Sequence, residues 1–468
     1  MVGKLYDEIL PLYKNPENEE TLKSLNMLCV RLVFCLYAED AGLFGKHQMF
    51  HDYLAKFEAE DLRRALIDLF VVLDTRENER DPYMKVELAQ FPYVNGGLFA
   101  KEDIEIPMLN EKVKELLLTK ASEDFDWSNI SPTIFGAVFE STLNPETRRS
   151  GGMHYTSIEN IHKVIDPLFL DDLKEELNEI ISIKTLKTKK DRFSEFQDKI
   201  SKLKFLDPAC GSGNFLTETY LSLRRLENKG LESIQGGQIG FADAVSSPIK
   251  VSIGQFYGIE INDFAVTVAT TALWIAEAQM MHETEEILHM NLQFLPLKSY
   301  TNITEGNALR IDWNNVISNI ECNYIMGNPP FVGQQLRNQE QSSDMIEIFG
   351  KGSSETKLDY VLCWYKKAIR YMKNTYIKAA FVSTNSICQG ESVPTFWHNF
   401  IEEDKTEILF AHTSFEWTSE ASEKAMVYCV IIGFSSYYTN EIKRLYTDNN
   451  LLKVDFINAY LMSAPNIW

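Results

Sequence analysis

The chain has 468 residues, of which 45% are apolar and 12% aromatic, so it can bury a large core and has the length of two or three domains. Its formal net charge of −21 argues against a protein that binds nucleic acid over its whole surface, because such binding requires Lys and Arg to neutralise phosphates. The sequence has no run of eighteen uninterrupted apolar residues and no CxxC pair among its seven cysteines. These features predict a cytoplasmic protein with no membrane span and no zinc framework.

The first third of the sequence predicts helices. From Glu19 to Phe44 the apolar residues recur at helical spacing, and Gly42 supplies a stop signal. We therefore predict an all-α domain over residues 1–145, with a polar boundary run at 144–152. Acidic side chains are denser in this part than in the remainder. Any cleft that faces nucleic acid would need a local basic patch in the C-terminal part, or sequence outside this chain.

Residues 146–468 predict a second domain with a different pattern. A charged segment over residues 171–202 has apolar positions at helical spacing and mixed charges, as expected of a solvated helix. After it, apolar strand-like runs alternate with helical ones. Strands spaced by helices predict a doubly wound, mostly parallel sheet in an α/β fold, and ligands of such sheets bind beyond the carboxyl ends of the strands. The predicted strands are Phe205–Leu206, Phe256–Ile261, Ile303–Thr304, Tyr324–Met326, Ala379–Ser383 and Val427–Phe434.

Two motifs follow the first two of these strands. A glycine turn, Asp207-Pro208-Ala209-Cys210-Gly211-Ser212-Gly213-Asn214, opens into a helix, where backbone without Cβ atoms can approach a ligand. At the end of the next strand, Glu260 can accept hydrogen bonds from both hydroxyls of a ribose. The alternatives are a tight turn of any nucleotide-binding protein for the first motif and a surface glutamate for the second. The acidic strand end makes the glycine turn a more specific signal.

Two shorter motifs lie at later strand ends. Gly306-Asn307-Ala308 is a turn sequence when taken alone, and its position after a predicted strand favours a function. Asn328-Pro329-Pro330-Phe331 places an amide, two prolines and an aromatic ring after another apolar strand. In this order, the four motifs resemble those of the gamma class of N6-adenine DNA methyltransferases. Further stretches are similar to the MmeI-like restriction-modification enzymes: 134–140, 152–157, 383–390 and 415–417.

The resemblance covers nearly the whole chain and implies a Rossmann-like class I methyltransferase sheet, preceded by a helical spacer domain in residues 1–145. S-adenosylmethionine is the implied cofactor. Tyr155 and Thr156 would contact its methionine end, which the glycine turn would wrap, and Asn307 would meet its adenine ring. The full set of predicted cofactor contacts is Tyr155, Thr156, Asp207, Pro208, Ala209, Gly211, Gly213, Asn214, Glu260, Ile261, Asn307 and Ala308.

The resemblance makes Asn328, Pro329, Pro330 and Phe331 the catalytic motif. An exocyclic amine is a poor nucleophile because its lone pair is delocalised into the ring. The side-chain oxygen of Asn328 and the carbonyl of Pro329 can each accept one amino N–H and favour a more tetrahedral nitrogen. Prolines stiffen the loop, and Phe331 offers a ring on which the target base can stack. The substrate would be duplex DNA with a flipped adenine, since a stacked base is out of reach.

MmeI-like enzymes carry two domains whose patterns do not occur here. They begin with a nuclease domain and end with a target-recognition domain, so we expect recognition to need a domain or subunit beyond Trp468. The leading hypothesis is methyl transfer to the N6 amino group of adenine in DNA, as the modification part of a restriction-modification or related phage-defence system. Two alternatives stay open. One is an amino-methyltransferase that acts on RNA or protein, and the other is a methyltransferase-fold scaffold that is inactive without a recognition domain.

Overall fold

The computed structural model of the chain describes residues 1–94, 98–99, 104–128, 130–133, 135–136, 156–235, 248–289, 292, 301–417, 427–439, 441–447 and 450–468. The chain divides into two compact units. One unit holds Met1–Leu143 together with Phe264–Thr301, and the other holds Asn144–Asp263 together with Asn302–Trp468. The predicted domain boundary between residues 145 and 146 lies outside the described residues and stays a prediction.

Helices dominate the described residues up to residue 200, and strands begin after them. The helices are α1 (Val2–Ile9), α2 (Glu19–Asp40), α3 (Met49–Leu54), α4 (Ala59–Asp74), α5 (Val86–Ala89), α6 (Glu111–Glu115), α7 (Ile158–Ile165), α8 (Asp171–Ser182), α9 (Leu186–Ile200), α10 (Asn214–Gln235), α11 (Asp263–Leu288), α12 (Gln339–Phe349) and α13 (Leu362–Met372). The strands are β1 (Phe205–Asp207), β2 (Phe256–Glu260), β3 (Asn302–Glu305), β4 (Tyr324–Gly327), β5 (Lys378–Thr384), β6 (Glu407–Trp417), β7 (Val427–Ser435), β8 (Lys443–Thr447) and β9 (Asn450–Val454).

Helix α2 shows how local sequence sets the helices of the first unit. Asn18 caps its start, because its Oδ1 accepts a hydrogen bond from the backbone N–H of Glu20 at 3.1 Å. The helix ends at Asp40, and the predicted stop residue Gly42 adopts a left-handed φ of +71°. Among the described residues, α2 and α11 are long and apolar enough to cross a membrane by length and composition alone. Their most apolar stretches are 78% and 67% buried inside the protein, which is the burial of core helices.

Helix α11 belongs to the helical unit by its packing. The hydroxyl of Tyr37 donates to the carbonyl of Ile275 at 3.2 Å. The side-chain amide of Gln279 donates to the carbonyl of Ser128 at 3.0 Å. The sequence pattern alone places this helix in the domain of residues 146–468, because contacts between distant parts of the chain are not visible in a local pattern.

The second unit is built around one sheet, in which nine strands of the described residues follow the order β3-β2-β1-β4-β5-β7-β6-β8-β9. The five strands from β3 to β5 in this order are parallel. Strand β7 lies between β5 and β6 and is antiparallel to both. Strand β8 pairs in parallel with β6, and β9 is antiparallel to β8. The predicted α/β fold with a mostly parallel sheet is confirmed. The carboxyl ends of β1, β2, β3 and β4 meet at one edge, and each is followed by one of the four motifs.

The central strands are mostly apolar up to their carboxyl ends, as expected of strands that are covered on both faces. Every residue of β1 is buried. Phe205 of β1 stacks on Phe256 of β2 with ring centroids 5.2 Å apart, and on Tyr324 of β4 at 5.6 Å. The same register places Asp207 opposite Gly258. The aromatic stack joins the first residues of three strands, whose carboxyl ends carry predicted functional side chains.

Candidate cofactor and catalytic site

The glycine turn connects β1 to α10 at the carboxyl edge of the sheet. Gly211 and Gly213 have φ values of +53° and +83°, which residues with a Cβ rarely adopt. The backbone N–H of Cys210 donates to the carbonyl of Ile259 at 3.1 Å, which ties the turn to β2. Helix α10 then begins at Asn214 with its first N–H groups directed at this edge. The turn therefore presents backbone to a ligand instead of side chains.

Asp207 is a buried carboxylic acid with an unused acceptor. Its side chain is 1% exposed, and its Oδ1 accepts a hydrogen bond from the backbone N–H of Ala209 at 3.0 Å. Its Oδ2 is also buried and accepts no hydrogen bond from the described residues. Burial, together with the nearby Glu260 carboxyl, raises the pKa of Asp207 to about 8 although the Ala209 N–H opposes this. A buried acceptor of this kind fits a ligand that brings a positive charge or an N–H.

Glu260 is held by backbone donors on both of its oxygens. Its Oε2 accepts from the N–H of Gly211 at 2.8 Å, and its Oε1 accepts from the N–H of Asn262 at 3.0 Å. The side chain is 8% exposed, and burial raises the pKa of its carboxyl while these donors lower it. Each carboxylate oxygen keeps a further lone pair, so Glu260 can still accept from ribose hydroxyls. The following residue, Ile261, is 61% exposed at the mouth of the same strand end.

The third motif lies directly beside the second. The backbone N–H of Gly306 donates to the carbonyl of Glu260 at 2.7 Å. The amide of Asn307 accepts from the N–H of Leu309 at 2.9 Å through Oδ1, and its Nδ2 donates to Asp344 at 3.1 Å. Ala308 is buried, and its carbonyl accepts from the indole N–H of Trp313 at 2.9 Å. The structure thus brings Glu260 and Asn307 to neighbouring strand ends.

The predicted catalytic motif is joined to the glycine turn at Gly327, the residue that ends β4 and precedes Asn328. A Cβ on Gly327 would lie 2.4 Å from Oδ1 of Asp207, closer than two such atoms can approach. Position 327 requires glycine because the Asp207 carboxyl occupies the space that a Cβ would need. The backbone conformation of Gly327 does not itself require glycine. Two motifs separated widely in the chain are therefore packed against one another.

Thr156 engages the nitrogen of the Asn328 amide in the structure. Asn328 Nδ2 donates to Thr156 Oγ1 at 3.2 Å, and Thr156 is 3% exposed. The Oδ1 atom of Asn328 is buried and accepts no hydrogen bond from the described residues. Of the two residues predicted for the methionine end, Thr156 contacts Asn328 of the predicted catalytic motif, while Tyr155 lies outside the described residues.

Further contacts hold the loop after Asn328. Pro329 is buried, Pro330 is half-buried, and Phe331 packs partly buried against the core. The N–H of Val332 donates to Asp359 Oδ1 at 3.1 Å, and the carbonyl of Val332 accepts from the N–H of Tyr360 at 3.1 Å. The loop is thereby anchored directly after its aromatic residue.

Several residues of the site were not predicted from the sequence. Trp364 of α13 donates its indole N–H to the carbonyl of Pro208 at 3.0 Å and so supports the glycine turn. Asp344 of α12 contacts Asn307. The 383–390 stretch begins at the end of β5, and the 415–417 stretch is the end of β6. Asn385 donates a hydrogen bond to Ser414 at 3.1 Å, at the carboxyl edge of the sheet. The sequence does not single out Asp344, because an acid among apolar residues is too common a pattern to indicate one position.

This sheet order, the reversed β7, the glycine turn after β1 and the acidic end of β2 define a class I methyltransferase, for which S-adenosylmethionine is the cofactor. A family model described as the MmeI DNA-methyltransferase domain matches residues 183–447, and one described as the MmeI helicase spacer domain matches residues 23–99. The chain belongs to this MmeI family, which confirms the resemblance stated from the motifs.

Known relatives are longer than this chain. DNA methyltransferase A of Bacillus subtilis (strain 168) is 39% identical over 473 residues, which cover 99% of this chain and 51% of that protein. A putative type II restriction enzyme and methyltransferase of Methanocaldococcus jannaschii is 25% identical over 350 residues, which cover 64% of this chain and 28% of that protein. The solved structure of the type IIL restriction-modification enzyme MmeI in complex with DNA matches with a TM-score of 0.88 at 39% identity, and covers 100% of this chain and 61% of that one. The chain thus spans about half the length of the first curated relative.

Proposed function

We propose that this chain transfers a methyl group from S-adenosylmethionine to the N6 amino group of adenine in DNA, as the modification part of a restriction-modification or related phage-defence system. The observation that carries the proposal is the orientation of the Asn328 amide. Its nitrogen is engaged by Thr156, and its buried oxygen accepts nothing from the described residues. An oriented acceptor at the end of β4 is what an amino group requires as its nitrogen becomes a nucleophile.

The catalytic motif would act on the hydrogens of the target amine. The Asn328 oxygen and the Pro329 carbonyl would each accept one N–H, which favours a tetrahedral nitrogen whose lone pair is withdrawn from the ring. Pro329 and Pro330 bring no backbone N–H that would compete for these acceptors. S-adenosylmethionine supplies an electrophilic methyl group when it is bound. Phe331 would stack on the extruded base and exclude water from its face.

The cofactor would lie along the ends of β1, β2 and β3. The free oxygen of Asp207 fits the ammonium group of the methionine end, and the backbone of the glycine turn leaves space for it. Glu260 would accept from the ribose hydroxyls, and Asn307 would meet the adenine edge. The contacts between the motifs support this assignment. The backbone N–H of Gly306 is hydrogen-bonded to the carbonyl of Glu260, and Gly327 packs against the Asp207 carboxyl.

The proposed target is a flipped adenine in duplex DNA. The MmeI structure that this chain resembles was solved in complex with DNA, which supports DNA as the substrate class. The 46 Lys and Arg residues are outnumbered by 67 Asp and Glu residues, so the surface as a whole does not favour contacts with phosphates. We therefore propose that sequence recognition needs a further domain or a partner subunit, and that the protein acts in the cytoplasm.

Analysis of methylated nucleosides tests the proposal. The chain, joined to or combined with its target-recognition domain or subunit, is incubated with methyl-labelled S-adenosylmethionine and mixed-sequence duplex DNA, RNA or protein, and the products are digested and identified. The expected labelled product is N6-methyladenine in DNA, and Asn328→Ala should slow its formation by about 10²- to 10³-fold while cofactor affinity stays within a few fold. Labelled N4-methylcytosine, or transfer to RNA or protein alone, would contradict the proposal.

A further inference from the structure

One buried carboxylate connects the third motif to the helix that follows the catalytic loop. Asp344 of α12 is 2% exposed and accepts hydrogen bonds from three side chains. Its Oδ1 accepts from Arg310 Nε at 2.8 Å. Its Oδ2 accepts from the Tyr360 hydroxyl at 2.7 Å and from Asn307 Nδ2 at 3.1 Å. Asp344 is therefore fixed by two strong donors, and the third contact reaches a residue predicted to meet the cofactor.

The neighbours of Asn307 allow only one orientation of its amide. The N–H of Leu309 is a donor, so the atom that faces it at 2.9 Å must be Oδ1. The Asp344 oxygen is an acceptor, so the atom that faces it must be Nδ2. Each end of the amide then keeps one unused capacity, a lone pair on Oδ1 and an N–H on Nδ2. An adjacent acceptor and donor in one plane match the edge of adenine, which presents an amino group beside a ring nitrogen.

We propose that Asp344 is a positioning residue that orients the Asn307 amide for the adenine ring of the cofactor and makes asparagine, not aspartate, the residue that functions at position 307. The inference rests on the proposed function, because it assumes that Asn307 faces S-adenosylmethionine.

Aspartate at position 307 would put two carboxylates in contact. Its oxygen would replace Nδ2 at 3.1 Å from the Asp344 oxygen, so a donor–acceptor pair would become an acceptor–acceptor pair with like charges. Arg310 and Tyr360 hold Asp344 in place, and the backbone N–H of Tyr360 is itself bonded to Val332. The clash is therefore not relieved by a simple movement of Asp344.

A double-mutant cycle on cofactor affinity tests the inference. S-adenosylmethionine is titrated calorimetrically into the wild-type chain, Asn307→Asp, Asp344→Asn and the double variant. Asn307→Asp should weaken binding by about tenfold, and Asp344→Asn by less than that, because the new amide can keep its oxygen on Tyr360 and Asn307 and lose only the contact with Arg310. The double variant restores one donor and one acceptor with their roles exchanged. It should bind more tightly than Asn307→Asp alone, which is a rescue that a general loss of packing would not produce.

A matched control separates pairing from charge. Asp312 lies five residues from Asn307, is exposed, and caps Asn314 without contacting Asn307. Asp312→Asn removes the same charge, so adding it to Asn307→Asp should leave the affinity for S-adenosylmethionine as low as in Asn307→Asp alone. Thermal unfolding of each variant verifies that it is folded. Should Asn307→Asp not fold, Asn307→Ala takes its place, and Asp344→Asn should then cost no further affinity in that background.

The outcomes distinguish the inference from the function on which it rests. If the wild-type protein binds the cofactor but the fold losses in affinity of the two single variants multiply in the double variant, the role of Asp344 is refuted and the proposed function is not. Rescue by Asp312→Asn equal to that by Asp344→Asn overturns it as well. Wild-type protein that takes up no S-adenosylmethionine overturns both the proposed function and this inference.

Discussion

Replacing Thr156 with valine should slow methyl transfer without loosening the cofactor. Valine has nearly the shape of threonine but accepts no hydrogen bond, so the 3.2 Å contact of Asn328 Nδ2 is lost. The amide can then turn its nitrogen toward the target amine, where donors would face each other. The fraction of molecules with the oxygen correctly placed falls, and the rate of transfer falls with it.

The expected size of the effect follows from that one hydrogen bond. A neutral hydrogen bond contributes roughly 0.5–1.5 kcal/mol net. Lost in the transition state, this is about a 2- to 12-fold decrease in kcat. Removal of the whole acceptor by Asn328→Ala should cost about 10²- to 10³-fold, the range for a preorganised hydrogen-bonding group at a reacting centre. Thr156→Val should therefore be much milder than Asn328→Ala.

Single-turnover transfer of tritiated methyl groups at saturating cofactor measures the rate, and calorimetry measures cofactor affinity. Thr156→Ser keeps the hydroxyl and should remain close to wild type. In the Asn328→Ala background, Thr156→Val should have no additional effect, because the amide it orients is gone. An unchanged kcat in Thr156→Val, or the same additional loss in both backgrounds, would refute the reasoning. Weaker cofactor binding with an unchanged kcat would assign Thr156 to the methionine end instead.

Three further outcomes follow from the described contacts. Gly327→Ala should destabilise the fold by about 1–3 kcal/mol in urea unfolding, because its Cβ meets the Asp207 carboxyl, whereas Gly333→Ala meets no atom within 4 Å and should be neutral. Affinity for S-adenosylmethionine should rise by up to about tenfold per pH unit as the pH approaches 8, since a proton must leave Asp207, whose pKa burial raises to about 8. Calorimetry on Asp207→Asn should show no such rise. Hydrogen bonding, first to Asp166, raises the pKa of His162 from 6.5 to about 9, so its contribution to stability is complete below pH 6.5 and is lost as pH rises through 9. The melting temperature should fall across that window in wild type, and this part of the fall should be absent in His162→Gln.

The central strands were predictable because their environment leaves a plain signal. Strands β1, β4 and β5 are buried on both faces and read as continuous apolar runs, and the predicted segments fall inside the observed ones. The alternation with helices gave the parallel topology. Strand β6 was missed, since Glu407 begins it and the polar run His412-Thr413-Ser414 interrupts its apolar pattern. Strand β9 was missed because it is a short edge strand with mostly exposed side chains.

The candidate site was only partly predictable. Motif positions at strand ends indicated which side chains share an edge, because parallel strands end on the same side. Partners within that edge depend on tertiary contacts. Thr156 and Asn328 are 172 residues apart, and no local pattern relates them. Likewise, the need for glycine at position 327 arises from the Asp207 carboxyl across the sheet and from no conformational feature of the loop.

The central claim is that two buried acceptors bind different partners. The free oxygen of Asp207 binds the cofactor, and the free oxygen of Asn328 binds the target amine. Calorimetric titration of S-adenosylmethionine at about pH 8, where much of the Asp207 carboxyl is ionised, tests it most directly. We expect Asp207→Asn to weaken cofactor binding by about tenfold or more, the value of a hydrogen bond to a charged group, and Asn328→Ala to leave it within a few fold of wild type. Full affinity in Asp207→Asn together with lost affinity in Asn328→Ala would contradict the account.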